Sequence, residues 1–236
     1  MQHYFALNKN LDLAKDDIYH IVKVMRMNLN DKLIVVYKQR KYFCQIINFN
    51  KKDIKLKVIK EIFENNELHI KVTIGQALIK ETKFCYLLQK LTELGVNSVI
   101  PLKTARSLIK LDSIKETNKK LRWQKILKEA AEQAHRNIIP NLHSIIDIKD
   151  IDDANYDLKL VCSVNQKNKN IKQIIQKHSK CDKLLVVIGP EGGLRADEEQ
   201  FLINEGFIPV SLGSLILRTE TAALFIMSII NYENMR

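Results

Sequence analysis

The sequence predicts a small β domain followed by an α/β domain built on a parallel sheet. Closely spaced, β-branched runs separated by polar residues occupy residues 33–59. From residue 72 onward, apolar runs instead alternate with helical patterns. The polar segment 60–70 separates the two patterns, so we expect one domain at 1–69 and a second at 70–236.

The first predicted domain contains three short strands, with the sequences LIVVY, YFCQIIN and IKLKVI, between Leu33 and Ile59. Their β-branched and alternating residues suit a pleated, half-buried surface. Strands this close together, joined by short polar turns, predict a small barrel or sandwich.

The second predicted domain begins with a strand at VTIGQAL (72–78). Apolar residues at helical spacing follow it, and Gly95 stands where a C-terminal cap belongs. A further strand at VNSVIPL precedes a helix with the apolar stripe Trp123, Ile126, Leu127, Ala130, Ala131 and Ala134. Three more strands are predicted at 158–163, 183–188 and 207–212, and the unbroken apolar run of the middle one is typical of a parallel strand covered on both faces.

Composition argues against several classes of protein. The longest apolar stretch near the C-terminus, 222–230, is too short to span a bilayer, and the first residues lack the apolar core of a signal peptide. The four cysteines are never spaced C-x-x-C, and the six histidines show no paired ligand spacing. We therefore expect a soluble cytoplasmic protein with reduced thiols, no membrane contact and no metal site.

The net charge of +11 is unevenly distributed along the chain. Residues 1–70 carry +5 and residues 71–146 carry +8, whereas residues 147–236 carry −2. A cationic surface beside a nearly neutral site indicates a polyanionic partner, above all nucleic acid. A solvated, lysine-rich surface is the alternative that charge alone leaves open.

Two unusual loops follow the last two predicted strands. In GPEGG (189–193), Pro190 and Gly192 suit the second and fourth positions of a type I turn, and Gly193 permits a positive φ. The loop is neither G-x-G-x-x-G nor G-x-x-x-x-G-K-[ST], which removes the main support for a dinucleotide site or a P-loop. Ligands of open α/β sheets lie beyond the carboxyl ends of the strands, so we expect a ligand site here, with an ordinary strand-to-helix turn as the alternative.

The second loop is apolar where loops are usually polar. Gly213 and residues 215–217 precede Arg218, Thr219 and Glu220, and then a helix that is apolar nearly all round. We expect that helix in the core or at a subunit interface. Thr219 suits a helix N-cap, and an acid such as Glu220 is favoured in a first turn. An arginine beside a buried apolar loop needs a carboxylate or a ligand oxygen as its partner, which makes Arg218 a candidate functional residue.

The two loops, together with most of the chain, resemble a known family. LVVIGPEGGLRADEE and VSLGSLILRTETAA are similar to the bacterial 16S ribosomal RNA uridine-N3 methyltransferases, the RsmE type within the SPOUT superfamily. The similarity continues through HIVKVMRMNLNDKL (20–33), LQKLTELGVNSVIPLKTARS (88–107) and RWQKILKEAAEQAHRNIIP (122–140). Two features depart from the family. VVYKQRKYFCQI lacks the usual Asp-Gly turn, so we expect a longer or differently shaped hairpin, and His135 replaces a small residue.

The resemblance implies an N-terminal PUA-like β-barrel and a C-terminal α/β domain whose chain forms a deep trefoil knot. Periodicity does not predict a knot, because knotted connections are nearly absent from proteins. The resemblance also implies S-adenosylmethionine as the methyl donor and a homodimer in which both subunits shape each site. The adenine of this cofactor would lie in an apolar slot whose backbone groups read its edge. The candidate cofactor-binding residues are Ser163, Gly189, Pro190, Glu191, Gly192, Gly193, Leu212, Gly213, Leu215, Leu217 and Thr219.

Methylation of uridine N3 requires removal of the imide proton and stabilisation of the charge that develops on O2 and O4. We expect Arg218 to stabilise the uracilate, and Glu191 or Glu220 to assist deprotonation or to orient Arg218. Because N3 lies on the Watson–Crick edge, the base must be unpaired or extruded before transfer.

Basic residues in the family-like or basic segments are the candidate contacts to 16S ribosomal RNA phosphates: Arg26, Lys80, Lys83, Arg106, Lys110, Arg122 and Arg136. Two alternatives remain open on sequence alone. A related knotted methyltransferase could act on transfer RNA or on a ribose 2′-hydroxyl, although the pairing of EQAHR with LRTETAA argues against it. A non-enzymatic assembly protein could bind ribosomal RNA through its barrel, although the intact second loop argues against that.

Overall fold

The computed structural model describes residues 1–49, 53–107, 113–152, 154–166, 169–178 and 180–234, with only the backbone of 113–115. The chain forms two compact units. The first comprises Met1–Glu67 and Lys128–Ile139, and the second comprises Leu68–Leu127 and Pro140–Arg236. A single division after residue 69, as expected from the sequence, does not account for Lys128–Ile139, because these residues pack within the first unit.

The first unit contains a four-stranded sheet in the order β1-β2-β3-β4. Its strands are β1 (His3–Phe5), β2 (Lys32–Tyr37), β3 (Arg40–Phe49) and β4 (Ile54–Ile62). β1 pairs with β2 in parallel, and the other pairs are antiparallel. Between β1 and β2, a short helix α1 (Lys15–Tyr19) continues into a π-helical turn. The three predicted strands are confirmed, whereas closure of the sheet into a barrel stays a prediction.

The hairpin between β2 and β3 is tight. Tyr37 pairs with Arg40, so the turn consists of Lys38 and Gln39 alone, and both have positive φ angles, 46° and 68°. This is the two-residue geometry that Asp-Gly and Asn-Gly normally supply, because its twist matches that of the strands. The expectation of a longer or differently shaped hairpin is therefore wrong: two ordinary residues accept the left-handed conformation that the pairing of the strands imposes.

Lys128–Ile139 is fastened to the first unit by charged and polar side chains. Glu67 binds the guanidinium of Arg136 and accepts hydrogen bonds from the backbone N–H groups of Asn137 and Ile138, at 2.8 and 3.2 Å. His135 has a φ of 55° and stacks on His3 with ring centroids 4.0 Å apart. The structure thereby corrects the expectation that Arg136 binds phosphate, because its side chain is buried and already paired with a carboxylate.

The second unit is built on a parallel sheet in the order β11-β9-β10-β5-β6-β7, with β8 also paired to β6. Its strands are β5 (Lys71–Ala77), β6 (Ser98–Lys103), β7 (Asn141–Leu142), β8 (Ile146–Asp147), β9 (Leu158–Cys162), β10 (Lys183–Ile188) and β11 (Ile208–Val210). The strands predicted from the sequence are all present. β10 is buried over nearly its whole length, as its apolar run predicted.

The helices of the described chain include α2 (Glu81–Glu93), α3 (Ser113–Gln133), α4 (Ile171–Lys177), α5 (Ala196–Asn204) and α6 (Thr219–Glu233). Gly95 follows the end of α2 and has a φ of 94°, which agrees with the C-terminal cap predicted there. The apolar face of α6 is buried in the core of the second unit, as the composition of that helix predicted. Within the described residues, we find no helix with both the length and the apolar character needed to cross a membrane.

The sheet order decides where the loops lie. β11, β9 and β10 are consecutive neighbours and run in the same direction, so their carboxyl ends lie side by side at one edge. The loops that follow these three strands are therefore brought together, although about twenty residues or more separate them along the chain.

Candidate active site

The three loops line a cavity of about 600 Å³. Residues 163–165 follow β9, residues 189–194 follow β10, and residues 211–218 follow β11. The volume lies within the range of small-molecule sites, and the position is the one at which open α/β sheets bind their ligands.

The cavity wall contains every residue that the sequence marked as cofactor-binding: Ser163, Gly189, Pro190, Glu191, Gly192, Gly193, Leu212, Gly213, Leu215, Leu217 and Thr219. Arg218 lies in the same wall. Glu220, the second residue of α6, does not line the cavity, but it shares the ammonium of Lys83 with the wall residue Glu191. The structure thus brings the predicted residues to one place, while their roles in binding stay predictions.

The GPEGG loop is held by a close approach of its own backbone. The N–H of Gly193 donates to the carbonyl of Pro190 at 2.8 Å, so the turn begins at Pro190, one residue later than the sequence suggested. Gly189 lies close to the returning chain, because a Cβ atom there would lie 3.0 Å from the backbone nitrogen of Leu194. Gly193 has a φ of 70°, as predicted.

Arg106 supports this loop from the side. Its Nη1 atom donates to the carbonyl of Gly192 at 2.6 Å and is 3.4 Å from that of Leu194. The neighbouring residue is anchored as well, because the buried carboxylate of Glu198 accepts from the N–H of Ala105 at 2.7 Å. The guanidinium of Arg106, which we expected to contact RNA phosphate, therefore already binds the GPEGG loop. The sequence did not indicate this contact between Glu198 and Ala105, because the helix dipole by itself accounts for an acid in the first turn of a helix.

Thr219 joins the two loops. Its hydroxyl donates to the carbonyl of Gly189 at 2.6 Å and accepts from Nε2 of Gln76 at 2.9 Å. Thr219 is the first residue of α6, and Arg218 occupies the N-cap position, so the expectation that Thr219 caps the helix is wrong. Gln76, which was not predicted as part of the site, is fully buried near the end of β5. The available signal was a polar side chain within the otherwise apolar strand VTIGQAL.

The apolar part of the second loop lies on the outside of the subunit. Leu215 is 78% exposed and Ile216 is 88% exposed. The expectation that Arg218 stands beside a buried apolar loop is therefore wrong for the single chain. The chain carries these side chains away from the core because Gly213, with a φ of 122°, turns it outward before it returns to α6. Exposed apolar groups beside a cavity mark a surface for a ligand or a second protein chain.

The two candidate carboxylates share one cation. Nζ of Lys83 is 3.3 Å from Oε1 of Glu191 and 3.3 Å from Oε1 of Glu220. The hydrogen bond with Glu220 raises the pKa of Lys83, and the bond with Glu191 adds to this effect, so the ammonium stays protonated. The guanidinium of Arg218 is exposed and makes no hydrogen bond or ion pair with the described side chains or backbone. Neither glutamate therefore orients Arg218 in this structure.

The cavity wall also contains a cysteine, Cys162. Burial raises the pKa of the Cys162 thiol to about 12, so this wall residue is a thiol and not a nucleophilic thiolate. Over the residues that the structure describes, no group of three or more His, Cys, Asp or Glu side chains is placed to hold a metal ion.

The candidate RNA contacts differ in whether other groups of the protein already bind them. Arg26, Lys80 and Arg122 are exposed and remain candidates for phosphate. Lys83, Arg106 and Arg136 are engaged by protein groups, and Lys110 lies outside the described residues.

Comparison with known proteins gives the family. Residues 66–231 match the RNA methyltransferase domain family, and residues 13–59 match the RNA methyltransferase PUA domain family. The sequence is 36% identical over 248 residues to ribosomal RNA small subunit methyltransferase E of Bacillus subtilis, with 99% of this chain and 97% of the relative covered. It is 32% identical to the protein of the same name from Buchnera aphidicola, over 92% of this chain and 86% of the relative.

A solved structure agrees with this result. The chain superposes with a TM-score of 0.87 on ribosomal RNA small subunit methyltransferase E from Neisseria gonorrhoeae bound to S-adenosyl methionine. The two sequences are 26% identical, and the alignment covers 97% of this chain and 95% of the other. The family matches, the near full-length relatives and the cavity between the three loops lead to one conclusion: this chain belongs to the ribosomal RNA small subunit methyltransferase E family of RNA methyltransferases.

Proposed function

We propose that this protein transfers a methyl group from S-adenosylmethionine to N3 of one specific uridine in 16S ribosomal RNA of the small ribosomal subunit. The observation that carries the proposal is the wall of the cavity. In this wall, two loops present backbone N–H and C=O groups, and the guanidinium of Arg218 forms no ion pair with a carboxylate of the described residues. Membership of the family and the cofactor-bound relative from Neisseria gonorrhoeae support the same donor.

The cavity fits the proposed cofactor. Gly189 leaves no room for a side chain, and Gly193 and Gly213 both adopt left-handed φ angles, so the loops present backbone groups at the wall. Leu212 and Leu217 supply half-buried apolar surface, which suits an adenine ring. Ser163, after β9, forms the third side. S-adenosylmethionine would supply a methyl group carried on a sulfonium sulfur.

The residues of this chain would serve the acceptor base. Uridine N3 must lose its imide proton before its electron pair can form the new bond to carbon, and the proton would pass to Glu191 or Glu220. The negative charge that then spreads over the uracil oxygens would be stabilised by Arg218, whose guanidinium is available at the wall. The base would have to leave its stack to reach these groups.

Several further features belong to the proposal. We propose a homodimer in which the exposed Leu215 and Ile216 are covered by the second subunit. Arg26, Lys80 and Arg122 would contact phosphates of the ribosomal RNA. The deep trefoil knot and the closed PUA-like barrel complete the expected architecture.

The test is methyl transfer from labelled S-adenosylmethionine to small ribosomal subunits that lack the modification, followed by nucleoside mapping. We expect label as 3-methyluridine at one position of the 16S ribosomal RNA. Label on a ribose, or on transfer RNA offered in the same assay, would replace the substrate. No transfer together with no cofactor binding would favour a non-catalytic protein that binds ribosomal RNA.

A further inference from the structure

One ammonium group links the two loops of the cavity through their carboxylates. Lys83 lies in the first turn of α2, and its Nζ contacts Oε1 of Glu191 and Oε1 of Glu220, both at 3.3 Å. The second oxygen of Glu220 also accepts from this ammonium, at 3.5 Å. Glu191 belongs to the loop after β10, whereas Glu220 follows the loop after β11. We call Lys83, Glu191 and Glu220 the Lys83 cluster.

The cluster is partly shielded from solvent. The side chains of Lys83, Glu191 and Glu220 are 31%, 35% and 14% exposed, respectively. Ion pairs at open surfaces contribute little, because water and salt screen them. Partial burial weakens this screening, and two carboxylates beside one another repel unless a cation lies between them.

No other cation of the described residues contacts the carboxylates of Glu191 and Glu220. On the same helix, Glu81 is bound by Lys119 and by the indole N–H of Trp123. Lys80 is exposed at the start of α2. The guanidinium of Arg106, on the other side of the GPEGG loop, is engaged by backbone carbonyls. Arg218 makes no ion pair within the described chain, so Lys83 is the one described cation that contacts the carboxylates of its cluster.

We propose that Lys83 is a positioning residue that holds the carboxylates of Glu191 and Glu220 together and so fixes the GPEGG loop against the start of α6, and that it is not a phosphate contact. This inference rests on the proposed methyl transfer to uridine N3. A carboxylate can accept the imide proton only from within hydrogen-bond reach of N3, so the placement of the two glutamates decides whether the base can be deprotonated. Lys83 acts through the two glutamates and does not itself touch the reacting atoms.

A specific kinetic signature follows. Loss of the ammonium leaves the two carboxylates without the cation that lies between them, so they should move apart. In Lys83→Met, kcat for methyl transfer should therefore fall by about tenfold or more, while KM for ribosomal RNA stays unchanged. Loss of a phosphate contact would instead raise KM and leave kcat unchanged.

The experiment measures kcat and KM for methyl transfer to small ribosomal subunits for the wild type, Lys83→Met and Lys83→Arg. Lys90→Met is the matched control, because Lys90 lies on the same helix and pairs with Glu93 at 2.7 Å, away from the loops. The NMR chemical shifts of the glutamate carboxyl carbons in the same variants, at one pH, give a second readout that needs neither turnover nor cofactor.

We expect Lys83→Met to lower kcat at unchanged KM and to move the carboxyl signals of Glu191 and Glu220, Lys83→Arg to restore both, and Lys90→Met to match the wild type. An unchanged kcat together with unchanged carboxyl signals in Lys83→Met would overturn the inference. A raised KM for ribosomal RNA at constant kcat, with a shallower salt dependence, would instead identify Lys83 as a phosphate contact. Absence of methyl transfer by the wild type would refute the proposed function, and the carboxyl signals would still test the cluster.

Discussion

The hydroxyl of Thr219 donates a hydrogen bond to the carbonyl of Gly189 at 2.6 Å, and this contact joins the ends of two loops that lie 30 residues apart. The same hydroxyl accepts from the buried Gln76, so a short polar chain runs from β5 to both walls of the cavity. Through this chain, the core of the sheet determines the distance between the two loops.

Thr219→Val should weaken cofactor binding and destabilise the fold. The substitution keeps the shape of the side chain but removes the hydroxyl donor of the Gly189 carbonyl and one of the two acceptors of the buried Gln76 amide, at a cost of about 1–3 kcal/mol. Calorimetric titration with S-adenosylmethionine and urea unfolding would measure the two effects. Thr219→Ser keeps the hydroxyl and should stay close to the wild type. Equal affinity in the valine and serine variants would show that the bond does not position the loops.

Gly189→Ala should abolish cofactor binding while the fold persists. The added Cβ would lie 3.0 Å from the backbone nitrogen of Leu194, so the backbone of the loop must move. Gly192→Ala is the control in the same loop, because its Cβ would meet only the flexible side chain of Arg106, at 3.4 Å. Affinity for S-adenosylmethionine and the thermal unfolding midpoint of both variants give the comparison. Comparable binding by the two variants would contradict the importance of the close approach at Gly189.

Arg106→Ala should lower cofactor affinity and leave the salt dependence of ribosomal RNA binding unchanged. The guanidinium donates to loop carbonyls, so its loss frees the GPEGG loop without removing a phosphate contact. Arg122→Ala is the counterpart, because Arg122 is exposed and its loss should reduce the salt slope by about one. RNA binding measured over a range of salt concentrations separates the two. A reduced slope in Arg106→Ala would return this residue to the RNA interface.

Arg218→Ala should lower turnover far more than cofactor affinity. An arginine that stabilises charge only as the base loses its proton contributes little to the bound ground state, and removal of one such donor costs about 10²–10³-fold in kcat. Single-turnover methyl transfer and equilibrium binding of S-adenosylmethionine measure the two quantities. Arg218→Lys, which keeps the charge without the planar fork, should recover part of the rate. Wild-type turnover by the alanine variant would remove Arg218 from the mechanism.

The stability of the first unit should fall as the pH drops below 6.5. Burial, reinforced by the stacked His135, lowers the pKa of His3 from 6.5 to about 4. Between these two values the unfolded chain binds the proton and the folded chain does not, so stability rises with pH across this window. The full effect is about 3 kcal/mol. Urea unfolding across this pH range measures it, and His3→Phe, which can still stack on His135, should show a smaller slope. An identical slope in that variant would contradict the assignment.

The local elements of this protein could be predicted because their signals are short-range. The unbroken apolar run of Lys183–Ile188 predicted a strand covered on both faces, and the spacing from Phe84 to Leu91 predicted the buried face of α2. The position of the cavity could be predicted as well, since parallel strands end at a common edge and both unusual loops follow such strands. All of these predictions depend on residues close together in the chain.

Side-chain partners required the tertiary structure. Gln76 meets Thr219 across 143 residues, and Lys83 meets Glu191 across 108. Arg136 looked like a phosphate contact because its charge is visible in the sequence, whereas the carboxylate of Glu67 that neutralises it lies 69 residues away. Charge and residue type are local properties, but a partner is set by which elements become neighbours.

For this protein, the sequence by itself determined most of the strands and helices, the two loops and the family to which the chain belongs. The tertiary structure alone decided that Arg106 supports a loop, that Lys83 lies between two carboxylates and that Leu215 is exposed. The physical reason is the sheet order β11-β9-β10-β5, which places distant segments side by side. No local periodicity encodes that order, because it results from the packing of the whole unit.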